Sequence, residues 1–118
     1  MGQNHADTVQ RYYELVDAAD YDAIFRMFCD DVVYERGGTE TIVGLDGLIR
    51  FYLTDRRIAA GRHSVESILA DDDWVAARGV LDGRLKSGEL VTVRWADFHR
   101  FRNDKIWRRY TYFADQPV

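Results

Sequence analysis

A strand-like segment late in the sequence carries an acid and an imidazole on one face. Because successive strand residues alternate between two faces, Trp95, Asp97, His99 and Phe101 point the same way. A carboxyl group among aromatic rings is costly to ionise without a partner, so desolvation favours its protonated form. Asp97 is therefore a candidate acid or acid/base. The structural alternative is an Asp97 paired with Arg36 or another cation.

His99 is a candidate base on the same face. It lies two residues from Asp97, roughly 7 Å along a strand, which is far for a direct hydrogen bond but close enough for both to touch one substrate. An imidazole has an ordinary pKa near 6.5, which suits proton transfer at neutral pH. The alternative is a purely structural histidine. His63 and His5 show no partner in the sequence.

Periodicity predicts the elements that must position these residues. Residues 5–19 have helical spacing, with Arg11, Glu14 and Asp17 on the solvent side. Asp20 can cap a second short helix that buries Ile24, Met27 and Phe28 and ends beside an inert, buried Cys29. A third helix follows Gly44. The predicted strands are 31–36, a short one at 41–43, and then 63–69, 74–85, 90–101 and 105–113.

Composition and charge exclude several classes of protein. The 118 residues suit one domain, 1–118, and 47% hydrophobic with 31% charged residues argue for a folded globular chain. A net charge of −4 argues against a nucleic-acid partner. No apolar run is long enough for a membrane span, and the N-terminus does not look like a secretory signal, so we expect a cytoplasmic protein. No spacing matches a metal site, and no cofactor is expected.

The order of these elements resembles the nuclear transport factor 2-like superfamily, in particular its SnoaL-like polyketide cyclase and ketosteroid isomerase branches. The resemblance covers nearly the whole chain and rests on segments in a characteristic order. These are Val9-Gln10-Arg11-Tyr12, Asp20-Tyr21-Asp22-Ala23-Ile24, Met27-Phe28-Cys29-Asp30-Asp31, Gly44 with Ile49, Phe51 and Tyr52, and Asp97-Phe98-His99-Arg100-Phe101 followed by Lys105-Ile106.

The resemblance implies an α+β fold in which three N-terminal helices close a pocket on a cone-shaped, curved antiparallel or mixed sheet. It places Asp97 on the isomerases' oxyanion-hole acid, which is kept neutral as a hydrogen-bond donor. In the cyclases an acid in this region acts as general acid/base. Tyr12 falls on the oxyanion-hole tyrosine, for which a core tyrosine is the alternative.

One position departs from the isomerase pattern. The carboxylate base expected late in the first strand is replaced by Arg36, which cannot accept a proton. Arg36 could instead hold an anionic ligand group or lie in water at the strand end. The same alignment places Trp107, Arg109, Thr111 and Phe113 inward. The full set of predicted substrate-binding residues is Arg36, Tyr34, Phe51, Trp95, Phe101, Arg109 and Phe113.

The resemblance therefore predicts a small cofactor-free enzyme that transfers a proton next to a carbonyl, as an isomerase, cyclase or dehydratase. Its substrate would be hydrophobic and polycyclic or polyketide-like, with Asp97, Tyr12 and His99 as catalytic residues. Two alternatives stay open: a non-catalytic binder of a small apolar anion, and a dimeric interaction domain. An epoxide hydrolase needs an Asp-Arg-Asp set, and Arg109 stands where one acid is expected. A homodimer through the sheet face is also expected.

Overall fold

A computed structural model describes residues 2–118, with side chains from His5 onward. Three helices and an additional π-helical turn, Phe51–Asp55, combine with six strands. The helices are α1 (Gly2–Asp17), α2 (Tyr21–Phe25) and α3 (Gly44–Arg50), and the strands are β1 (Phe28–Arg36), β2 (Ile42–Val43), β3 (Ile58–Asp71), β4 (Trp74–Leu85), β5 (Leu90–Arg102) and β6 (Lys105–Phe113).

The strands form one curved sheet with the order β2-β1-β6-β5-β4-β3. All neighbouring strands are antiparallel except β1 and β6, which run parallel. Helix α1 lies against β3 and β4, and α3 lies against β1. The helices thus cover one face of the sheet, which confirms the predicted α+β cone. None of the described helices is long and apolar enough to cross a membrane.

Two strands begin earlier than the sequence pattern predicts. Phe28 and Cys29 belong to β1 and not to the end of the second helix, because the backbone of residue 27 already accepts a hydrogen bond from Ile106 N–H, at 2.8 Å. Strand β3 begins at Ile58 because it pairs with β4 as far as Leu85. Both differences come from pairing with strands that are distant in the sequence, and local periodicity does not show such pairing.

The predicted inward face of β5 is confirmed, whereas the alignment places one residue of β6, Trp107, on the wrong face. Trp107 does not line the cone. It lies with its ring centroid 4.0 Å from the Arg108 guanidinium and 5.4 Å from that of Arg100. The register shifts between Arg100 and Phe101, so that Ile106 takes the inward position. At this point β6 has one residue more than β5, and this β-bulge shifts the inward–outward alternation of the β6 side chains before Arg109.

Candidate functional site

The concave face of the sheet and the helices enclose a narrow cavity. About 30 Å³ of it can hold the centre of a water molecule. That volume has room for roughly one to three water molecules. A ring compound would require the lining side chains to move apart, and a polycyclic one would require a larger movement. The lining residues are Tyr12, Val16, Tyr34, Arg36, Phe51, Tyr52, Arg56, Ile58, His63, Leu81, Trp95, Asp97, Arg109, Thr111 and Phe113.

Asp97 accepts three side-chain hydrogen bonds in the wall of the cavity. Its Oδ2 accepts from Arg109 Nη2 at 2.8 Å and from the Tyr13 hydroxyl at 2.7 Å. Its Oδ1 accepts from Thr111 Oγ1 at 2.5 Å, and that hydroxyl in turn lies 2.7 Å from the Tyr34 hydroxyl. The predicted pairing with a cation is present, and the cation is Arg109.

These partners keep Asp97 ionised. Burial alone would raise the pKa of Asp97, but the charge of Arg109, the His99 ring in its protonated form at low pH, and the hydrogen bonds from Thr111 and Tyr13 lower it to about 2. The expectation of a protonated Asp97 is therefore wrong, because it considered desolvation without the guanidinium. A carboxylate with this pKa and three donors already attached is a poor proton acceptor at neutral pH.

His99 lies beneath Tyr13 and does not line the cavity. Its Nε2 is 3.1 Å from the Tyr13 hydroxyl and 3.9 Å from Asp97 Oδ2, closer to the carboxylate than strand spacing suggests. Since Tyr13 donates to Asp97, Nε2–H donates to Tyr13, and Nδ1 is left without a partner among the described residues. Burial and the charge of Arg109 lower the pKa of His99 to about 3, so the ring is neutral.

Tyr12 pairs with Tyr52 beside the same arginine. The two hydroxyls form a short hydrogen bond, and Arg109 Nη1 donates to the Tyr12 hydroxyl at 2.6 Å and approaches that of Tyr52 at 3.4 Å. Burial raises the pKa of Tyr12 well above its usual 10 despite Arg109, so the phenol keeps its proton. The two hydroxyl groups have one hydrogen each, and one of these hydrogens forms the hydrogen bond between them. The second has no acceptor among the described residues and is available to a ligand.

The predicted substrate-binding residues are divided between the cavity and the core. Tyr34, Phe51, Trp95, Arg109 and Phe113 line the cavity, as does Arg36. The Arg36 guanidinium lies 5.1 Å from the ring centroid of Phe51 and 5.0 Å from that of Phe113. Phe101 instead stacks on His5 in the core, with centroids 4.1 Å apart.

A histidine–aspartate pair on the cavity wall was missed by the sequence reasoning. His63 Nδ1 lies 2.6 Å from Asp17 Oδ1, and the backbone N–H of His63 donates to Asp17 Oδ2 at 2.8 Å. Asp17 was predicted on the solvent side of α1, but the last turn of that helix meets β3. Because a carboxylate accepts, Nδ1 carries the hydrogen and Nε2 keeps its lone pair. No described residue hydrogen-bonds Nε2, and the ring borders the cavity.

The two ring nitrogens of His63 therefore have different roles. Asp17 orients the imidazole through Nδ1, and Nε2 remains free to accept a proton. Tyr13 and Trp95 hold the ring from other sides, with ring centroids 5.4 and 5.7 Å from that of His63. No group of three or more metal-binding side chains lies together in the described part of the chain.

The SnoaL-like domain family model matches residues 9–109. The chain belongs to this family. The match begins within α1, runs through α2, α3 and β1 to β5, and ends within β6 at Arg109. No curated protein matches the sequence.

Solved structures agree on the fold. A protein described as a SnoaL-like polyketide cyclase, from Jannaschia sp. CCS1, superposes with a TM-score of 0.83 at 14% identity, covering 96% of this chain and 87% of that one. A LEH-like epoxide hydrolase from M. tuberculosis has a TM-score of 0.83 at 17% identity, covering 95% and 84%. A protein with a ketosteroid isomerase-like fold from Catenulispora acidiphila DSM 44928, in complex with trimethylamine, has a TM-score of 0.77 at 20% identity, covering 88% and 82%.

Proposed function

We propose that this protein catalyses proton transfer next to the carbonyl group of a small apolar compound bound in the cavity, with His63 as the proton acceptor. The observation that carries the proposal is the Asp17–His63 pair at 2.6 Å, whose ring borders the same cavity as the tyrosine pair. A histidine oriented by a carboxylate is a common general base, and the base need only reach the proton it removes.

The first step forms an enolate. His63 Nε2 takes a proton from the carbon beside the carbonyl. The electron pair of that C–H bond forms a C=C bond, and the π electrons of the carbonyl move onto its oxygen. The available hydroxyl hydrogen of the Tyr12–Tyr52 pair donates to this oxygen, and Arg109 polarises both phenols. Preorganised donors of this kind contribute about 3 kcal/mol each to the stabilisation of the transition state.

The second step decides the class of reaction. Return of the proton from His63 to another carbon gives isomerisation. Loss of a hydroxyl from the neighbouring carbon gives dehydration, in which the proton held by His63 leaves with the hydroxyl as water. Attack of the enolate on a second carbonyl gives cyclisation, in which that proton passes to the oxygen of the second carbonyl. Asp97 then has the role of a positioning residue, since it holds Arg109 against the tyrosine pair.

Deuterium exchange tests the proposal before the natural substrate is known. A panel of small cyclic ketones, aryl ketones and keto acids is incubated with the protein in D₂O, and loss of the C–H signal beside the carbonyl is followed by proton NMR. His63→Gln should lower the protein-dependent rate by about 10²- to 10⁴-fold, the usual contribution of a general base. Asp17→Asn should lower it less, because the imidazole remains but loses its orientation.

A matched control separates chemistry from damage to the fold. His5→Gln removes a histidine that stacks on Phe101 and does not line the cavity, so the exchange rate should stay near that of the wild type. Circular dichroism checks that each variant is folded. Exchange by His63→Gln at the wild-type rate would reject His63 as the base. Ligand binding without exchange by the wild type would favour the non-catalytic binder.

We further propose that the protein forms a homodimer through the outer face of the sheet. Apolar side chains are exposed on its strands: Leu69 and Trp74 are accompanied by Phe98 and Tyr112. Leu69, Trp74 and Phe98 line one open apolar depression. Burying such side chains against a second copy would remove apolar area from water.

A further inference from the structure

The residues that line the cavity have a net positive charge, whereas the whole chain has a net negative charge. Three arginines line it, Arg36, Arg56 and Arg109, against a single carboxylate, Asp97. Asp97 neutralises Arg109 through the 2.8 Å ion pair. Two positive charges remain, although the whole chain has a net charge of −4. In the described part of the chain, neither Arg36 nor Arg56 has a carboxylate within ion-pair distance.

Arg36 contacts aromatic rings, and no carboxylate of the described residues neutralises its charge. Its side chain is buried, with the residue only 9% exposed, and its guanidinium lies over the ring faces of Phe51 and Phe113. Cation–π contacts of this kind offset part of the cost of burying a guanidinium, but they leave its N–H donors unused. Arg36, Thr111 and Phe113 also line the adjoining open groove, so Arg36 stands where the cavity meets that groove.

Arg56 comes from the turn that also supplies Phe51. The π-helical turn Phe51–Asp55 ends immediately before it, and the backbone N–H of Arg56 donates to the Phe51 carbonyl at 2.7 Å. Its guanidinium lies 5.6 Å from the ring centroid of Tyr52, and it too lines the cavity. The π-helical turn therefore positions both Phe51, which lines the cavity, and Arg56, the second arginine without a carboxylate partner.

We infer that Arg36, at the mouth of the cavity, and Arg56, on its wall, form an anion-binding subsite that selects substrates with a carboxylate. The planar guanidinium can donate two parallel hydrogen bonds to a carboxylate, and Phe51 and Phe113 fit a flat apolar body beside it. The inference deepens the proposed function, on which it rests for the location of the ligand. The substrate class is then a small, flat, apolar carbonyl compound with a carboxylate group.

Isothermal titration calorimetry with benzoate and its neutral analogue benzamide tests this inference. The wild type should bind benzoate at least tenfold more tightly than benzamide. Arg36→Gln should weaken benzoate binding by at least tenfold and leave benzamide unchanged, and Arg56→Gln should have a smaller effect of the same sign. Arg84→Gln is the matched control, because Arg84 is an exposed arginine outside the cavity lining.

The outcomes separate this inference from the proposed function. Equal affinity for both compounds, or benzoate binding that is insensitive to Arg36→Gln, would overturn the anion subsite whatever His63 does. His63→Gln should keep the affinity for benzoate and lose the deuterium exchange. Arginine-dependent benzoate binding with no exchange in the wild type would instead reject the enzyme and retain the subsite. An Arg36→Lys variant with intermediate affinity would show that the paired hydrogen bonds contribute beyond the charge.

Discussion

Mild acid should destabilise this protein through His99. The pKa of His99 is lowered from an ordinary 6.5 to about 3 by burial and by Arg109. A group whose pKa is lowered on folding contributes fully above its unfolded pKa, and its contribution is lost as the pH falls towards the folded pKa. The sensitive window for His99 therefore lies between about pH 6.5 and pH 3, above the region where Asp97 titrates.

The size of the effect follows from linkage. At pH 4.5 an unfolded histidine is almost fully protonated, whereas His99 in the fold is almost entirely neutral. The free energy of unfolding should therefore be lower by about 3 kcal/mol than at pH 7.5. This figure depends mainly on the unfolded pKa, because the folded value lies well below 4.5. Asp97 contributes little at this pH, because both its folded and its unfolded pKa lie below 4.5.

Urea denaturation at pH 7.5 and 4.5, followed by circular dichroism, measures this loss. A His99→Gln variant has no imidazole at this position, so its loss on acidification should be smaller by about 3 kcal/mol than that of the wild type, even if the variant is less stable at both pH values. The other titrating groups are shared, and Asp97, whose pKa His99 affects, titrates mainly below pH 4.5. Equal losses in the two proteins would refute the assignment of a buried, neutral His99.

Two further predictions concern the ion pair and the sheet surface. Asp97→Asn should lower the free energy of unfolding at pH 7 by about 3–5 kcal/mol, because it leaves the buried Arg109 without its counter-charge; urea denaturation measures this, and a change below 1 kcal/mol would contradict the pairing. Phe98→Glu should convert the proposed dimer to a monomer in analytical ultracentrifugation, because it places a charge in an apolar contact. A wild type that already sediments as a monomer would contradict the dimer.

The sequence predicted most of what depends on local pattern. The alternation along β5 places Trp95, Asp97 and His99 inward, since strand parity is decided by neighbouring residues. Asp20 caps α2 as expected, with its carboxylate accepting from the backbone of residue 23. The packing of the helices over the sheet was predicted from the family resemblance, because periodicity alone does not indicate how elements pack.

The partners of these residues could not be read from the sequence. Asp97 meets Arg109 and Thr111 because β5 and β6 pair in one particular register, and it meets Tyr13 because α1 crosses the sheet. The bond between Asp17 and His63 joins residues 46 positions apart, and only the packing of α1 on β3 shows it. The one cue within the sequence is an acid in the last turn of a helix whose neighbouring strand contains a histidine.

The proposed proton transfer and the inferred anion subsite both follow from one departure from the isomerase pattern that the sequence resembles. An arginine at position 36 cannot accept a proton, so a proton-transfer enzyme needs another base on the cavity wall. Asp97 is paired with Arg109, and Tyr12 and Tyr34 keep their phenolic protons because burial raises their pKa. His63 is then the one lining side chain described that has an unused lone pair on a nitrogen. The arginine that removes the expected base also adds the charge that would hold an anionic substrate.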